Sequence, residues 1–276
     1  QYANRQLKSA FTFDTSKNNM SDVMKSRIDL SGQVAIVTGG TRGLGRDVAA
    51  QLAQAGCSVA ICGRNAPDSL PDGVDFMPCD IRDPDAAKAF VDGVASSKGR
   101  LDILVNNAGG SPSHDAATAS PRFVDALVKL NMLAPLYMAQ AAYVHMARAG
   151  SGSIINIASV SGARPSPGTA LYGASKAGLL NLTQSLAQEW GKDGIRVNAI
   201  IAGLMTTENA EATYGDAESQ AKVGASMPLG RMGTGDDIAG AVLWLASDLA
   251  QWVSGARIQV DGGGERPYFL DLVKGA

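Results

Sequence analysis

The sequence predicts an α/β domain built on one doubly wound, seven-stranded parallel sheet with helices on both faces. Three observations carry that prediction. Short apolar runs alternate with longer helical patterns from residue 33 to residue 260. The short runs are continuously apolar rather than alternating, so both faces of the sheet should be covered. A glycine-rich turn joins the first run to the first helical pattern, where a βαβ unit needs a tight reversal.

The predicted strands are 33–38, 58–62, 74–78, 102–107, 152–159, 196–201 and 256–260, all rich in Val and Ile and too short for buried helices. Helical patterns fill the gaps between most of them. Residues 46–56 place Val48, Leu52 and Ala55 on one face, and the next helix opens at Asp83-Pro84, a strong start signal. Longer patterns span 121–150 and 171–191, and another runs from 236 to 247. Strand and helix in alternation imply right-handed crossovers and parallel pairing. The segment 202–230 lacks a clear period and is expected to be an irregular, mobile flap. Residues 28–276 read as one domain. Residues 1–27 are polar and aperiodic, and read as an N-terminal extension, disordered or, before Met20, not native.

Composition narrows the function. The 24 basic and 26 acidic residues leave a net charge of -2, with 45% apolar and 18% charged residues. That balance offers no electrostatic footprint for nucleic acid or an anionic membrane. No apolar run reaches the roughly 18 residues of a membrane span. Cys57, Cys62 and Cys79 lack metal-ligand spacing and do not pair evenly, so no metal site is expected. They read as small core residues of a reduced, cytoplasmic protein.

The turn Thr38-Gly39-Gly40-Thr41-Arg42-Gly43-Leu44-Gly45 stands between a strand and an amphipathic helix. In that position it lets backbone approach a pyrophosphate, which the free N–H groups of the helix start would hold. The end of the second strand bears on the cofactor. A carboxylate there would accept from the ribose hydroxyls of NAD, but the chain has Gly63-Arg64. Arg64, with Arg42 in the turn, would instead attract a 2′-phosphate. NADP(H) is therefore the preferred cofactor, with NAD(H) as the alternative. Asp80 is a candidate cap of the helix at Pro84, since Asp favours such starts.

Tyr172 and Lys176 lie one helical turn apart on one face. An ammonium beside the phenol is expected to lower its pKa from about 10 towards neutrality. Ser159 ends the fifth strand, facing the crevice where open α/β sheets bind ligands. Asn131 lies mid-helix, four residues before Pro135. Proline has no N–H, so the Asn131 carbonyl loses its helical donor and is free to hold a water on the way to Lys176.

Together these segments resemble the short-chain dehydrogenase/reductase family, a Rossmann-like fold. The turn has that family's TGxxxGxG spacing, and NIASVSG…YGASKAG resembles its active-site segment, with Ser159 thirteen residues before Tyr172. The resemblance runs from residue 30 to about 264. It implies a catalytic set of Asn131, Ser159, Tyr172 and Lys176. It implies cofactor contacts at Gly39, Thr41, Arg42, Gly43, Leu44, Gly45, Arg64, Asp80, Ile81, Asn106, Ala108, Gly109, Gly203 and Thr207, and again at Tyr172 and Lys176. Thr206 is the alternative to Thr207. The chain departs from the family at Ala202-Gly203, where Pro-Gly is usual. The freed φ at Ala202 is expected to loosen the start of the flap.

The resemblance implies an oxidoreductase that interconverts a ketone and a secondary alcohol, first among them members acting on 3-oxoacyl thioesters. An NAD(H)-dependent steroid or alcohol dehydrogenase is the alternative within the family. An isomerase or lyase, or a cofactor-sensing protein without catalysis, belongs to another class. The partners expected are a small carbonyl or alcohol substrate and further copies of the chain, as a homotetramer or homodimer. Gly110–His114, Ala163–Thr169 and the flap should line the substrate pocket. The tail from Glu265 is expected to pack on a neighbouring subunit.

Overall fold

The structure, a computed structural model, describes residues 28–208 and 210–273. The proposed extension at 1–27 lies outside the described residues. The elements follow in chain order as β1 (Val34–Thr38), α1 (Gly43–Gln54), β2 (Ser58–Gly63), β3 (Val74–Pro78), α2 (Pro84–Lys98), β4 (Ile103–Asn106), α3 (Pro121–Val128), α4 (Ala134–Ala149), β5 (Gly152–Ser159), α5 (Ala170–Trp190), β6 (Ile195–Ala202), α6 (Ala210–Tyr214), α7 (Ala217–Ser226), α8 (Gly235–Ala246) and β7 (Arg257–Val260). The seven strands form one sheet in the order β3-β2-β1-β4-β5-β6-β7. Every pairing is parallel. The expected sheet is therefore present, with strand ends within a residue of those read from the sequence.

The continuous apolar runs have a direct structural cause. In β1, Val34 and Ile36 join a core with α2, α4 and α5, whereas Ala35 and Val37 join a core with α1 and α8. Successive side chains point to opposite faces, so a strand covered on both sides needs every position apolar. Full burial of each such Val or Ile contributes roughly 1.5–3 kcal/mol. The strand order reverses between β1 and β4, which opens a crevice at their carboxyl ends. Both the glycine turn and the start of the loop after β4 stand at that crevice.

Two regions differ from the sequence expectation. The helical pattern 121–150 is interrupted by a π-helical turn at Lys129–Leu133, where the Ala134 N–H bonds the Lys129 carbonyl. Pro135 cannot donate to Asn131, and the ladder slips by one residue around the gap. The flap is not irregular throughout, since it contains α6 and α7. Asp216 caps α7 by accepting from the Ser219 N–H at 2.9 Å. Most of α7 is exposed, so it lacks the apolar stripe that would have announced it.

The start of the flap is also firmer than expected. Ala202 is buried and pairs with both Ser159 and Val260, and the Gly203 N–H continues the ladder to the Val260 carbonyl. The sheet restricts φ at Ala202 without a proline ring. The cysteines are free and buried, and burial pushes the Cys57 thiol up to about 12. Among the described residues no His/Cys/Asp/Glu cluster suits a metal, and no helix is long and apolar enough to cross a membrane.

Candidate active site

The glycine turn is fixed by close contacts. Gly39 and Gly43 have φ of 65° and 53°, a region that disfavours residues with a Cβ. A Cβ on Gly39 would stand 2.9 Å from the Ala108 Cα, and one on Gly45 would stand 2.4 Å from the Gly39 oxygen. The turn thus folds directly onto the start of α1 and onto the loop after β4. Thr38 and Asn107 buttress it. The Thr38 hydroxyl oxygen accepts from the N–H groups of Asn107 and Ala108, each at 3.0 Å, and Asn107 Nδ2 donates back to the Thr38 and Gly39 carbonyls. Both residues belong to segments read from the sequence, Thr38 to the glycine turn and Asn107 to the stretch after the fourth strand, but their contact with each other was not. A hydroxyl at the end of a first strand and an amide after the fourth are visible there as partners only once the register is known.

The arginines chosen for cofactor selection stand near one another. Thr41 packs against Gly63, where a Cβ would lie 3.0 Å from its Cγ2, so Arg42 and Arg64 flank a single contact. Both are exposed at the carboxyl end of the sheet. Asp80 is not the cap of α2. That role falls to Asp83, whose side chain accepts from Asp85 and Ala86 N–H groups. The Asp80 carboxylate is instead held by Arg82, down to 2.6 Å, which keeps its pKa below the usual carboxylate range; Arg64 adds a smaller pull the same way. Ile81 is buried beneath it.

Asn106 belongs to the sheet rather than to an open cleft. Its Nδ2 donates to the Pro135 carbonyl at 3.1 Å and to Asn156 Oδ1 at 2.9 Å, and Asn156 donates on to Thr183. This chain ties β4 to α4, β5 and α5. The side-chain amide of Asn106 is thereby committed to aligning the strands.

The four residues read as catalytic converge. Lys176 is buried on α5, and its Nζ donates to the Ile157 carbonyl at 2.7 Å while lying 5.7 Å from the centre of the Tyr172 ring. Burial lowers its pKa to about 8. The Ser159 hydroxyl donates to the Tyr172 oxygen and accepts from the Ser161 N–H at 3.2 Å. Asn131 is fully buried. Its Oδ1 accepts from the Gly110 N–H at 2.8 Å, and its Nδ2 donates to the Gly110 and Leu127 carbonyls, each at 3.0 Å. A Cβ on Gly109 would meet Asn131 Oδ1 at 2.7 Å and Lys176 Nζ at 3.2 Å. Gly109 therefore lets the loop after β4, α5 and the π turn meet at one point.

One electrostatic expectation fails. The phenol of Tyr172 is shifted up, not down: burial is the largest cause, opposed by the Ser159 hydrogen bond and reinforced by Tyr214. The ammonium of Lys176 lies over the ring rather than at the oxygen, where desolvation dominates.

Polar groups cluster next to Tyr172, where a Cβ on Gly173 would meet the Ser161 oxygen and the Ser166 side chain. The hydroxyls of Ser161, Ser166 and Thr169 form a chain, with contacts of 3.1 and 2.6 Å. Arg164 forms a two-pronged pair with Glu265, one contact at 2.6 Å. The tail thus begins by anchoring to the rim of its own chain. Tyr214, on α6, lies near this pair and near Tyr172. His114 is exposed and stacks against Phe123 at 4.8 Å, as a loop histidine would. Gly203 packs on Asp261, and Thr207 lies over the glycine turn, whereas Thr206 bonds away to Gly233. Leu44, the second residue of α1, is partly buried against the core.

The fit to a dinucleotide can be judged from these contacts. The turn brings backbone N–H groups of the first helical residues to the crevice, with glycines at 39 and 45 where a Cβ would clash. Buried Lys176 has three donors, and Ile157 occupies one. The remaining donors suit a ribose diol. The residues present fit the group.

Comparison with known proteins agrees with the geometry. A family model described as enoyl-(acyl carrier protein) reductase matches residues 39–265. The chain is 37% identical over 246 residues to 2-dehydro-3-deoxy-D-gluconate 5-dehydrogenase of Escherichia coli, covering 86% of this chain and 97% of the relative. It is 36% identical to the 3-oxoacyl-(acyl-carrier-protein) reductase FabG of Staphylococcus aureus, covering 83% and 96%. Among solved structures, a putative 2-deoxy-D-gluconate 3-dehydrogenase of Agrobacterium tumefaciens with bound NADP superposes with a TM-score of 0.78. It is 37% identical over 86% of this chain and 98% of that one.

Proposed function

The chain belongs to the short-chain dehydrogenase/reductase family, and on that premise we propose that it is an NADP(H)-dependent oxidoreductase interconverting a ketone and a secondary alcohol, with Tyr172 as the proton carrier. The observation that carries this reading is the meeting of Ser159, Tyr172 and Lys176 beside the glycine turn, with Asn131 locked behind them. When bound, the nicotinamide supplies or accepts hydride at the carbinol carbon. The protein's own groups handle the oxygen and its proton. Ser159 donates to the substrate oxygen and Tyr172 gives or takes the proton there. A raised phenol pKa suits Tyr172 to hold a proton until a developing alkoxide needs it. Lys176, with its pKa near 8, is charged at neutral pH and replaces the proton through the cluster that Asn131 fixes. Arg42 and Arg64 would hold a 2′-phosphate, the nitrogen donors of Lys176 a ribose diol.

The substrate reading follows from the rim. Ser161, Ser166, Thr169, Tyr214 and Arg164 offer hydrogen bonds around the mouth, which favours a small hydroxylated ketone over a steroid or long acyl chain. The relative from Escherichia coli is named for such a compound. A 3-oxoacyl thioester is the second reading, supported by the likeness to the Staphylococcus aureus reductase. We propose further that the protein is cytoplasmic and assembles with itself, through the exposed Leu249 and Trp252 following α8.

The test is a panel of hydroxylated keto acids, 3-oxoacyl thioesters and steroid ketones assayed with NADPH and NADH in parallel. Net cofactor oxidation with a hydroxylated ketone supports the reading. Product without net redox change indicates an isomerase or lyase. Binding without turnover on any member indicates a sensor.

A further inference from the structure

The flap touches the glycine turn at one charged group. Glu208 Oε1 accepts from the Gly43 N–H at 3.2 Å, and its Oε2 lies 3.4 Å from where a Cβ on Gly43 would stand. Thr207 lies beside it, 3.7 Å from the same point. Residues 207 and 208 therefore rest on the first residue of α1, in space left by a missing side chain. Glu208 is exposed, and an exposed loop carboxylate is ordinarily hydrated rather than seated. Hydrogen bonds from its own N–H and from that of Gly43, with smaller pulls from Arg46 and Arg42, hold its carboxyl below the usual range.

The seat is meaningful. The Gly43 N–H is a first-turn donor without a partner inside the helix. It points where the cofactor reading places a phosphate, and the helix dipole favours negative charge there. Asp47, in the same helix, lies close enough to feel Glu208 as a like charge. The carboxylate thus stays in place against local repulsion. A diphosphate and a carboxylate at this separation would repel each other strongly.

We propose that Glu208 is an internal stand-in for the cofactor's diphosphate, latching the flap to the glycine turn until NADP(H) displaces it. The inference rests on the cofactor reading above and adds a cost to binding: part of the cofactor's interaction energy goes into releasing the latch. Apparent affinity is lower by the fraction of molecules in which the seat is free. It also couples cofactor arrival to movement of the flap, which carries Tyr214 at the substrate rim.

The test uses E208Q, nearly isosteric but uncharged, and E208A, which lacks the acceptor. NADPH affinity is measured by quenching of tryptophan fluorescence, and flap exposure by hydrogen exchange of peptides spanning 204–214. NADPH should bind both variants about fivefold more tightly than wild type, the equivalent of one modest hydrogen bond. Without ligand, the flap should exchange faster in E208A. Inorganic pyrophosphate should speed flap exchange in wild type and leave E208A unchanged. Equal or weaker NADPH binding by E208Q overturns the latch, as does flap exchange in E208A that matches wild type. Failure of wild type to bind NADPH or NADH would instead overturn the cofactor reading, while the exchange experiment still judges the contact between Glu208 and Gly43.

Discussion

Lys176 makes stability depend on pH in a direction opposite to that of ordinary surface charges. Folding removes its ammonium from water, and burial lowers its pKa from 10.5 to about 8. The unfolded chain then binds the proton more tightly than the folded one. Between those two values the unfolded state carries more protons, so stability rises with pH. Integrating between pH 7 and 9.5 gives a gain of about 2 kcal/mol from this residue alone. The hydrogen bond to the Ile157 carbonyl survives deprotonation, since a neutral amine still donates. Other groups titrate over the same interval, so the comparison is with K176M, which keeps most of the volume and loses the charge. Equilibrium urea unfolding of both proteins at pH 7 and 9.5 gives the stability difference at each. Wild type should gain about 2 kcal/mol relative to K176M on going to pH 9.5. A difference constant to within about 0.5 kcal/mol would show that water reaches the ammonium and that burial does not set its pKa.

Three further outcomes are expected. Y172F should lose about 100- to 10,000-fold in turnover, the usual contribution of a positioned acid or base, with NADPH affinity by fluorescence nearly unchanged; retained turnover would remove Tyr172 from the mechanism. N131A should cost about 2–4 kcal/mol in urea unfolding, because the Gly110 N–H and carbonyl and the Leu127 carbonyl all lose the Asn131 amide; a loss under about 1 kcal/mol would mean that the loop after β4 supports itself. R64E should weaken NADPH about 10- to 100-fold and spare NADH, the loss of a charge-assisted contact to phosphate. Equal effects on both cofactors would place Arg64 away from the 2′-phosphate.

How far the sequence carried the fold depended on whether a position answers to a local rule. β1 was legible because burial on both faces demands an unbroken apolar run, and α2 because Asp83-Pro84 starts a helix in any context. α7 obeys no such rule: it is short and largely exposed, and Asp216 is one acid among several nearby. The same contrast runs through the site. Tyr172, Lys176 and Ser159 were legible by spacing, and Asn131 by the proline that follows it. What Asn131 does with its side chain was not, because its partner Gly110 lies 21 residues away and is brought there only by the crossing of β4 and the π turn. Glu208 was missed for that reason, and the contacts of Thr38 and Asn107 were not legible either, each acting through backbone distant in sequence.

The pKa of Tyr172 shows why local pairing misled. Four residues of helix place an ammonium near a phenol, but spacing alone does not say whether it meets the oxygen or the ring. Here it meets the ring, and desolvation sets the sign. On the proposed mechanism, proton transfer would then start from a protonated Tyr172 rather than from a phenolate poised by lysine, with burial raising the phenol and lowering the lysine to about 8. Lys176 gives up its proton more readily than Tyr172 does, so after Tyr172 protonates an alkoxide, proton flow from lysine to phenolate runs downhill. On the proposed mechanism, the rate of alcohol oxidation should therefore rise as pH passes through about 8, where Lys176 empties and can take the proton back.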